Sequence, residues 1–254
     1  MDLPRNRFKA ALAEGRQQIG LWVSLIDGFA AEAVAGAGFD WLLLDTEHSP
    51  GDEKSVLAQL QALAPYPLTP IVRPMVNDTA LIKRFLDLGV QTLLIPWVQS
   101  VADAEAAVAA MRYPPRGVRG ISTLTRATGF GRTPDYLARA EQELCLIVQI
   151  ETRAGLDAIE AIAAVDGVDG LFIGPSDLSA SLGHLGDPGH PDMVATIEDA
   201  IARIRAAGKP AGVLTLDPTT TRRAIALGTD FIAIGTDLGL LARGADALRA
   251  EYRS

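Results

Sequence analysis

Cysteine is all but missing from this chain. Cys145 is the single thiol among 254 residues, so no internal disulfide can form. Its place at the head of an apolar run makes it a small buried hydrophobe. Positive charge is also short, with a net charge of −8. That balance excludes a nucleic-acid or anionic-membrane surface, and any anionic substrate needs a local positive group. No apolar run is long enough to span a bilayer. The first residues, MDLPRNRFKAALAEG, form a polar amphipathic segment without a secretory h-region, so a soluble cytoplasmic protein is expected. Nucleotide fingerprints are missing too: GVRGIS lacks the strand before it and the helix after it that a dinucleotide loop requires.

What the chain does have is apolar residues, 48% of the total, cut into short runs that alternate with helical patterns. Strands are expected at 19–25, 41–48, 69–74, 92–98, 145–151, 169–174, 210–216 and 231–237. Helices are expected before the first strand, over 6–14, and after every strand. The longest irregular stretch is 113–134. No linker or composition shift divides the series. Eight βα units in this order predict an α/β fold of the (β/α)8, or TIM barrel, type as a single domain over 1–254. A doubly wound open sheet is the alternative, but it needs a polar edge strand, and none of the eight is one.

In such a barrel the chemistry lies at the carboxyl ends of the strands. Read in order, those ends carry Trp22, Asp45, Glu47, His48, Arg73, Trp97, Gln149, Glu151, Ser176, Asp177, Thr215 and Asp237. Glu151 ends one strand and Asp177 follows the next. Two carboxylates from adjacent strand ends can converge on one hard cation, which takes oxygen ligands. Each alone is equally well a helix cap or a solvated loop residue. Of the three histidines, at 48, 184 and 190, only His48 lies at a strand end. Arg73, between β-branched residues and a proline, needs an anionic partner; a structural salt bridge to Asp45 or Glu47 is the plain alternative to a catalytic role. The four lysines are Lys9, Lys54, Lys83 and Lys209. None is placed at a strand end to form a Schiff base, so a carbanion here needs a metal as electron sink. The turn GPSD offers backbone N–H groups for a carboxylate or phosphate.

The segments AGAGFDWLLLDTEHSP, APYPLTPIVRP, RYPPRGVRG, VQIETRAG and DGLFIGPSDLSASLG resemble the HpcH/HpaI aldolase family over nearly the whole chain. The resemblance implies a class II pyruvate aldolase that cleaves 4-hydroxy-2-oxo acids to pyruvate, or a related 2-oxo acid, and an aldehyde. It implies a divalent cation (Mg²⁺, Mn²⁺ or Co²⁺) held by Glu151 and Asp177. Gln149 would neighbour the metal water, Arg73 would bind the keto oxygen, and Ser176 with Asp177 would hold the substrate carboxylate. His48, paired with Asp87, would transfer protons; Asp87 comes from the resemblance alone. Trp22 is expected to line the substrate site. The chain reads DTEH where some relatives read DGEH, which removes no ligand. The resemblance further implies a homo-oligomer, a hexamer with its last helix exchanged between subunits. A specificity for sugar-acid substrates, a CoA-ester lyase, a phosphate-sugar enzyme and a non-catalytic oxo-acid binding barrel are the competing readings.

Overall fold

The computed structural model describes residues 2–253. It begins with α1 (Arg7–Ala13), followed by β1 (Gln18–Val23), α2 (Gly28–Ala35), β2 (Trp41–Asp45), α3 (Glu53–Leu63), β3 (Thr69–Arg73) and α4 (Thr79–Asp87). Next come β4 (Thr92–Ile95), α5 (Val101–Met111), α6 (Tyr136–Glu143), β5 (Cys145–Ile150), α7 (Arg153–Asp157), α8 (Ile159–Ala163) and β6 (Gly170–Ile173). The chain ends with α9 (Pro175–Ser181), α10 (Pro191–Ala206), β7 (Ala211–Leu214), α11 (Pro218–Ala226), β8 (Phe231–Thr236) and α12 (Asp237–Glu251). The eight strands are parallel and closed in sequence order, with β8 paired back onto β1. The expected (β/α)8 barrel is therefore formed, and closure removes the edge strand that the open-sheet alternative needs.

Period-2 alternation sorts the strand residues into two cores. Trp41, Leu43, Ile71, Leu94, Ile147, Phe172 and Phe231 point into the barrel. Leu42, Leu44, Val72, Leu93, Val148 and Ile173 point out against the helices. Bulk inside is balanced by glycine: a Cβ on Gly20 would lie 2.2 Å from the Trp41 ring, and one on Gly212 would lie 2.2 Å from Phe231. The amino-terminal mouth is plugged by Phe8 of α1, which stands edge-on to Trp41 and Phe231. The long irregular stretch holds a cis bond between Pro114 and Pro115.

The βα connections end on helix caps that the sequence supplies. Side chains of Asp27, Asp52, Asp78, Ser100, Thr152, Asp217 and Thr236 accept the orphan N–H groups of α2, α3, α4, α5, α7, α11 and α12. Each such cap contributes on the order of 1 kcal/mol. Two expectations are corrected. The helix after β5 is two short ones, because Ala158 (φ −103°, ψ 8°) leaves helical geometry. The segment after β6 is helical from Pro175 onward, so Asp177 sits in the first turn of α9 rather than in a turn. Proline at the first helical position is pre-set for that start.

The last helix behaves unlike the others. Only Asp237, at its first position, is buried. Leu238, Leu240, Leu241 and Leu248 are exposed, by 49% to 61%. Ile234, on the β8 wall that a final barrel helix ordinarily covers, is 40% exposed. Among the described residues no helix is long and apolar enough to cross a membrane.

Candidate active site

Arg73 is the centre of the carboxyl-end face. It is 4% exposed and ends β3 beside Asp45, which ends β2 in register with it. Its Nε and Nη2 donate to the two Asp45 oxygens at 2.9 and 2.8 Å, a bidentate pair. Nη1 lies 2.7 Å from Glu47 Oε2 and makes a long 3.5 Å contact to Gln149 Oε1. The guanidinium stacks over Trp22, 4.8 Å from the ring centroid, and Trp22 Nε1 donates to Asp45 Oδ2 at 3.2 Å. The salt bridge entertained as the plain alternative thus exists, to both acids. It does not use up the residue. A guanidinium has five N–H donors, and two are engaged in short hydrogen bonds, both to Asp45. What remains points from a rigid group, fixed by packing and two carboxylates.

Glu151 follows β5 and is 1% exposed. Its Oε1 accepts the Trp97 backbone N–H at 2.7 Å, and its Oε2 accepts from Gln149 Nε2 at 2.6 Å. Trp97 delivers that N–H from a left-handed backbone (φ 59°), a conformation costly for a bulky residue and found where function demands it. Gly174 opposite is sterically required: a Cβ there would lie 2.6 Å from Glu151 Oε2 and 2.7 Å from Gln149 Nε2. Asp177 and exposed Ser176 follow in the first turn of α9.

Acid dominates the electrostatics of this face. Burial pushes the Glu151 carboxyl up to about 7; the Trp97 N–H opposes this, and the charges of Glu47 and Asp177 add to it. Glu47 is likewise raised by burial, against the pull of Arg73. Burial also acts on Asp45, but Arg73 outweighs it and holds that carboxyl below its ordinary value. One arginine therefore faces a crowd of acids. The donor set left over is carboxylate oxygen, each atom with a further lone pair, and it fits a hard divalent ion. Glu151 and Asp177 would hold it.

A stability consequence follows. An acid whose folded pKa is raised destabilises the fold as pH climbs from the unfolded value through the folded one. Glu151→Gln removes that cost. In metal-free protein at pH 8 the variant is expected to melt a few degrees higher, from on the order of 1–3 kcal/mol at ~2–4 °C per kcal/mol. The gain should fade between about pH 7 and 4.5. A melting point equal to wild type across that range would mean that the carboxylate is not under strain.

The remaining residues divide clearly. His48 lies in the loop after β2, its side chain 65% exposed and its Nε2 4.0 Å from Glu47 Oε2. Thr46 stitches that loop to β3: its N–H and hydroxyl both donate to the Arg73 carbonyl, at 3.0 and 2.7 Å. Asp87 is not brought to His48. It ends α4, at the opposite end of the barrel, and its Oδ1 accepts from buried Arg119 at 3.0 Å. Asp237, though at a strand end, is structural: it accepts the backbone N–H groups of Ser24 and Leu25 and so laces β8 to β1. Thr215 pairs with Thr221 at 2.6 Å. Asp45 and Glu47 clamp Arg73, as the salt-bridge alternative anticipated. One contributor was missed from the sequence, the backbone N–H of Trp97 on Glu151. The Trp97 N–H depends on a backbone conformation that no residue pattern announces.

A closed barrel with a buried arginine among carboxylates at the carboxyl ends of its strands is the architecture of a carbon–carbon lyase. The chain belongs to the HpcH/HpaI aldolase/citrate lyase family, whose pattern matches residues 18–244. It is 63% identical over 252 residues to a pyruvate aldolase of Rhizobium etli, covering 99% of each chain. It is 56% identical to a hydroxypyruvate/pyruvate aldolase of Pseudomonas aeruginosa, covering all of this chain and 95% of that one. Among solved structures it superposes on an HpcH/HpaI aldolase/citrate lyase family protein from Burkholderia cenocepacia with a TM-score of 0.94 at 40% identity, over 98% of this chain and 100% of that chain.

Proposed function

We propose that the protein is a divalent-metal-dependent aldolase that cleaves 4-hydroxy-2-oxo acids to a 2-oxo acid, pyruvate or hydroxypyruvate, and an aldehyde, and runs the reverse addition. The observation that carries this reading is Arg73: a buried, rigidly clamped cation with spare donors beside Glu151 and Gln149. The names of the two similar aldolases support the donor class. Glu151 and Asp177 would hold a Mg²⁺, Mn²⁺ or Co²⁺ ion, which would supply Lewis-acid polarisation of the 2-oxo group. Arg73 donates to the keto oxygen and meets the charge that grows there as the bond between C3 and C4 breaks. Backbone N–H groups of Ser176 and Asp177 receive the substrate carboxylate, and Trp22 walls the site below Arg73. His48 takes the 4-hydroxyl proton as the aldehyde leaves, with Glu47 beside it. The enolate left behind takes up a proton to give the 2-oxo acid.

Arg73→Ala tests the reading. It is expected to lose roughly 10²–10³ in kcat while keeping divalent-ion binding, the effect of removing one donor to a developing oxyanion. Because the change also unpairs Asp45 and Glu47, Arg73→Lys serves as the companion: it keeps the charge but not the fork, and should lose most of the turnover with less loss of melting temperature. Activity within a few-fold of wild type in both would reduce Arg73 to a salt-bridge residue.

The exposed stripe of α12 and the uncovered Ile234 support an exchanged last helix and a homo-oligomer, a hexamer in the family arrangement. A His48–Asp87 pair is then one formed between subunits, since the two lie at opposite ends of one barrel. Leu241→Asp with Leu248→Asp should shift sedimentation from oligomer toward monomer. A wild-type chain that sediments as a monomer at micromolar concentration would contradict this. Small-molecule substrates in the cytoplasm, without nucleic acid or membrane, complete the proposal.

A further inference from the structure

The two histidines that the aldol site does not use lie side by side. His184 and His190 stack with ring centroids 4.0 Å apart and planes inclined by 26°. Asp192 joins them: its Oδ2 is 3.7 Å from His190 Nδ1, and ligand atoms of all three residues lie within 4.8 Å of one another. The backbone builds this cluster. His184 is tied to α9 twice, its N–H donating to the Ser179 carbonyl at 2.8 Å and its carbonyl accepting the Ser179 hydroxyl. Two turns follow, Asp187 N–H to the His184 carbonyl at 3.0 Å and His190 N–H to the Asp187 carbonyl at 3.2 Å. They stack positions 184, 187 and 190 over one another. Gly183 and Gly186, at φ 92° and 78°, permit the bends.

We infer that His184, His190 and Asp192 form a second cation site, for a borderline divalent ion of the Zn²⁺, Ni²⁺, Co²⁺ or Cu²⁺ class. Two imidazoles and one carboxylate favour those ions over Mg²⁺ or Ca²⁺, which take oxygen. The tautomer suits binding: His190 Nδ1 accepts the Asp192 backbone N–H at 3.2 Å, so it presents a lone pair where the carboxylate also points. An ion there replaces that long hydrogen bond. Ligand atoms around a tetrahedral ion at ~2.0–2.1 Å stand about 3.4 Å apart, so the widest separation must contract by up to about 1.4 Å. Turning the half-exposed His184 ring out of the stack supplies this without moving the hydrogen-bonded backbone. His184 and His190 belong to the loop between α9 and α10, and Asp192 lies in the first turn of α10. An ion would clamp that loop, whose Pro188 and Gly189 wall an apolar cleft of about 220 Å³ that also touches Ser176.

The test uses the full-length Glu151→Gln/Asp177→Asn protein, in which the carboxylate site is removed, so that its outcome is independent of the aldolase reading. Cu²⁺ is titrated and followed by electron paramagnetic resonance. One ion per chain with hyperfine coupling to two nitrogens is expected. His184→Ala and His190→Asn should each reduce the coupling to one nitrogen and weaken binding at least tenfold, while His48→Ala changes neither. Asparagine keeps a side-chain acceptor at the α10 cap, so the helix start is preserved. Two-nitrogen coupling that persists in either the His184 or the His190 variant, or is absent from the parent, overturns the inference.

Discussion

Exhaustive chelation should take aldol cleavage to the background rate, and Mg²⁺, Mn²⁺ or Co²⁺ should restore it. The expected loss is the largest the site offers, because nothing else in it can serve as electron sink. The lysines are all accounted for elsewhere. Lys9 and Lys209 reach the carbonyls of Leu144 and Val168 on the amino-terminal side of the barrel, and Lys54 and Lys83 ride on α3 and α4. Among the described residues no side-chain amine is therefore positioned to form an imine with the 2-oxo group. What occupies the strand ends is acid, with Glu151 held by the Trp97 N–H and raised to about 7 by burial and its neighbours. A cation is the one partner that relieves all of these carboxylates together. The check is an assay of pyruvate release after dialysis against EDTA, with metal add-back. Undiminished activity, or a borohydride-trapped adduct, would speak for a Schiff-base route.

His48→Ala should lose roughly 10²–10⁴ in aldol cleavage, the usual range for a general base, and bind one ion at the Glu151/Asp177 site as wild type does. Its side chain stands in the open, 4.0 Å from Glu47, outside the cluster of Arg73, Gln149 and Glu151. Oxaloacetate decarboxylation gives the same enolate with no hydroxyl to deprotonate, so the variant should retain most of it. The ratio of the two rates is the decisive quantity. Equal losses in both would give His48 a substrate-holding role, and loss of the metal would make it a ligand.

The barrel was legible because eight apolar runs, each too short for a helix, alternate with amphipathic segments, and closure follows from the lack of a polar edge. Strand-end position was enough to raise Glu151, Arg73 and His48 as candidates. The strand ends themselves were overrun: β2 stops at Asp45, and β4 stops at Ile95, where Pro96 and the left-handed Trp97 break the ladder while the apolar pattern continues. Periodicity also cannot separate a strand-end carboxylate that does chemistry from one that laces strands, as Asp237 does. Asp87 was not legible from the residues alone: within one chain it pairs with Arg119 at the far end of the barrel, and only a neighbouring subunit could bring it to His48.

The central claim is that this site makes a pyruvate enolate with a metal and Arg73. Proton NMR of pyruvate in D₂O measures that step without any aldehyde. Methyl-proton exchange should require added Mg²⁺ or Mn²⁺ and should slow by roughly 10²-fold or more in Arg73→Ala. Exchange that proceeds undiminished in EDTA, or in the arginine variant, would contradict the account.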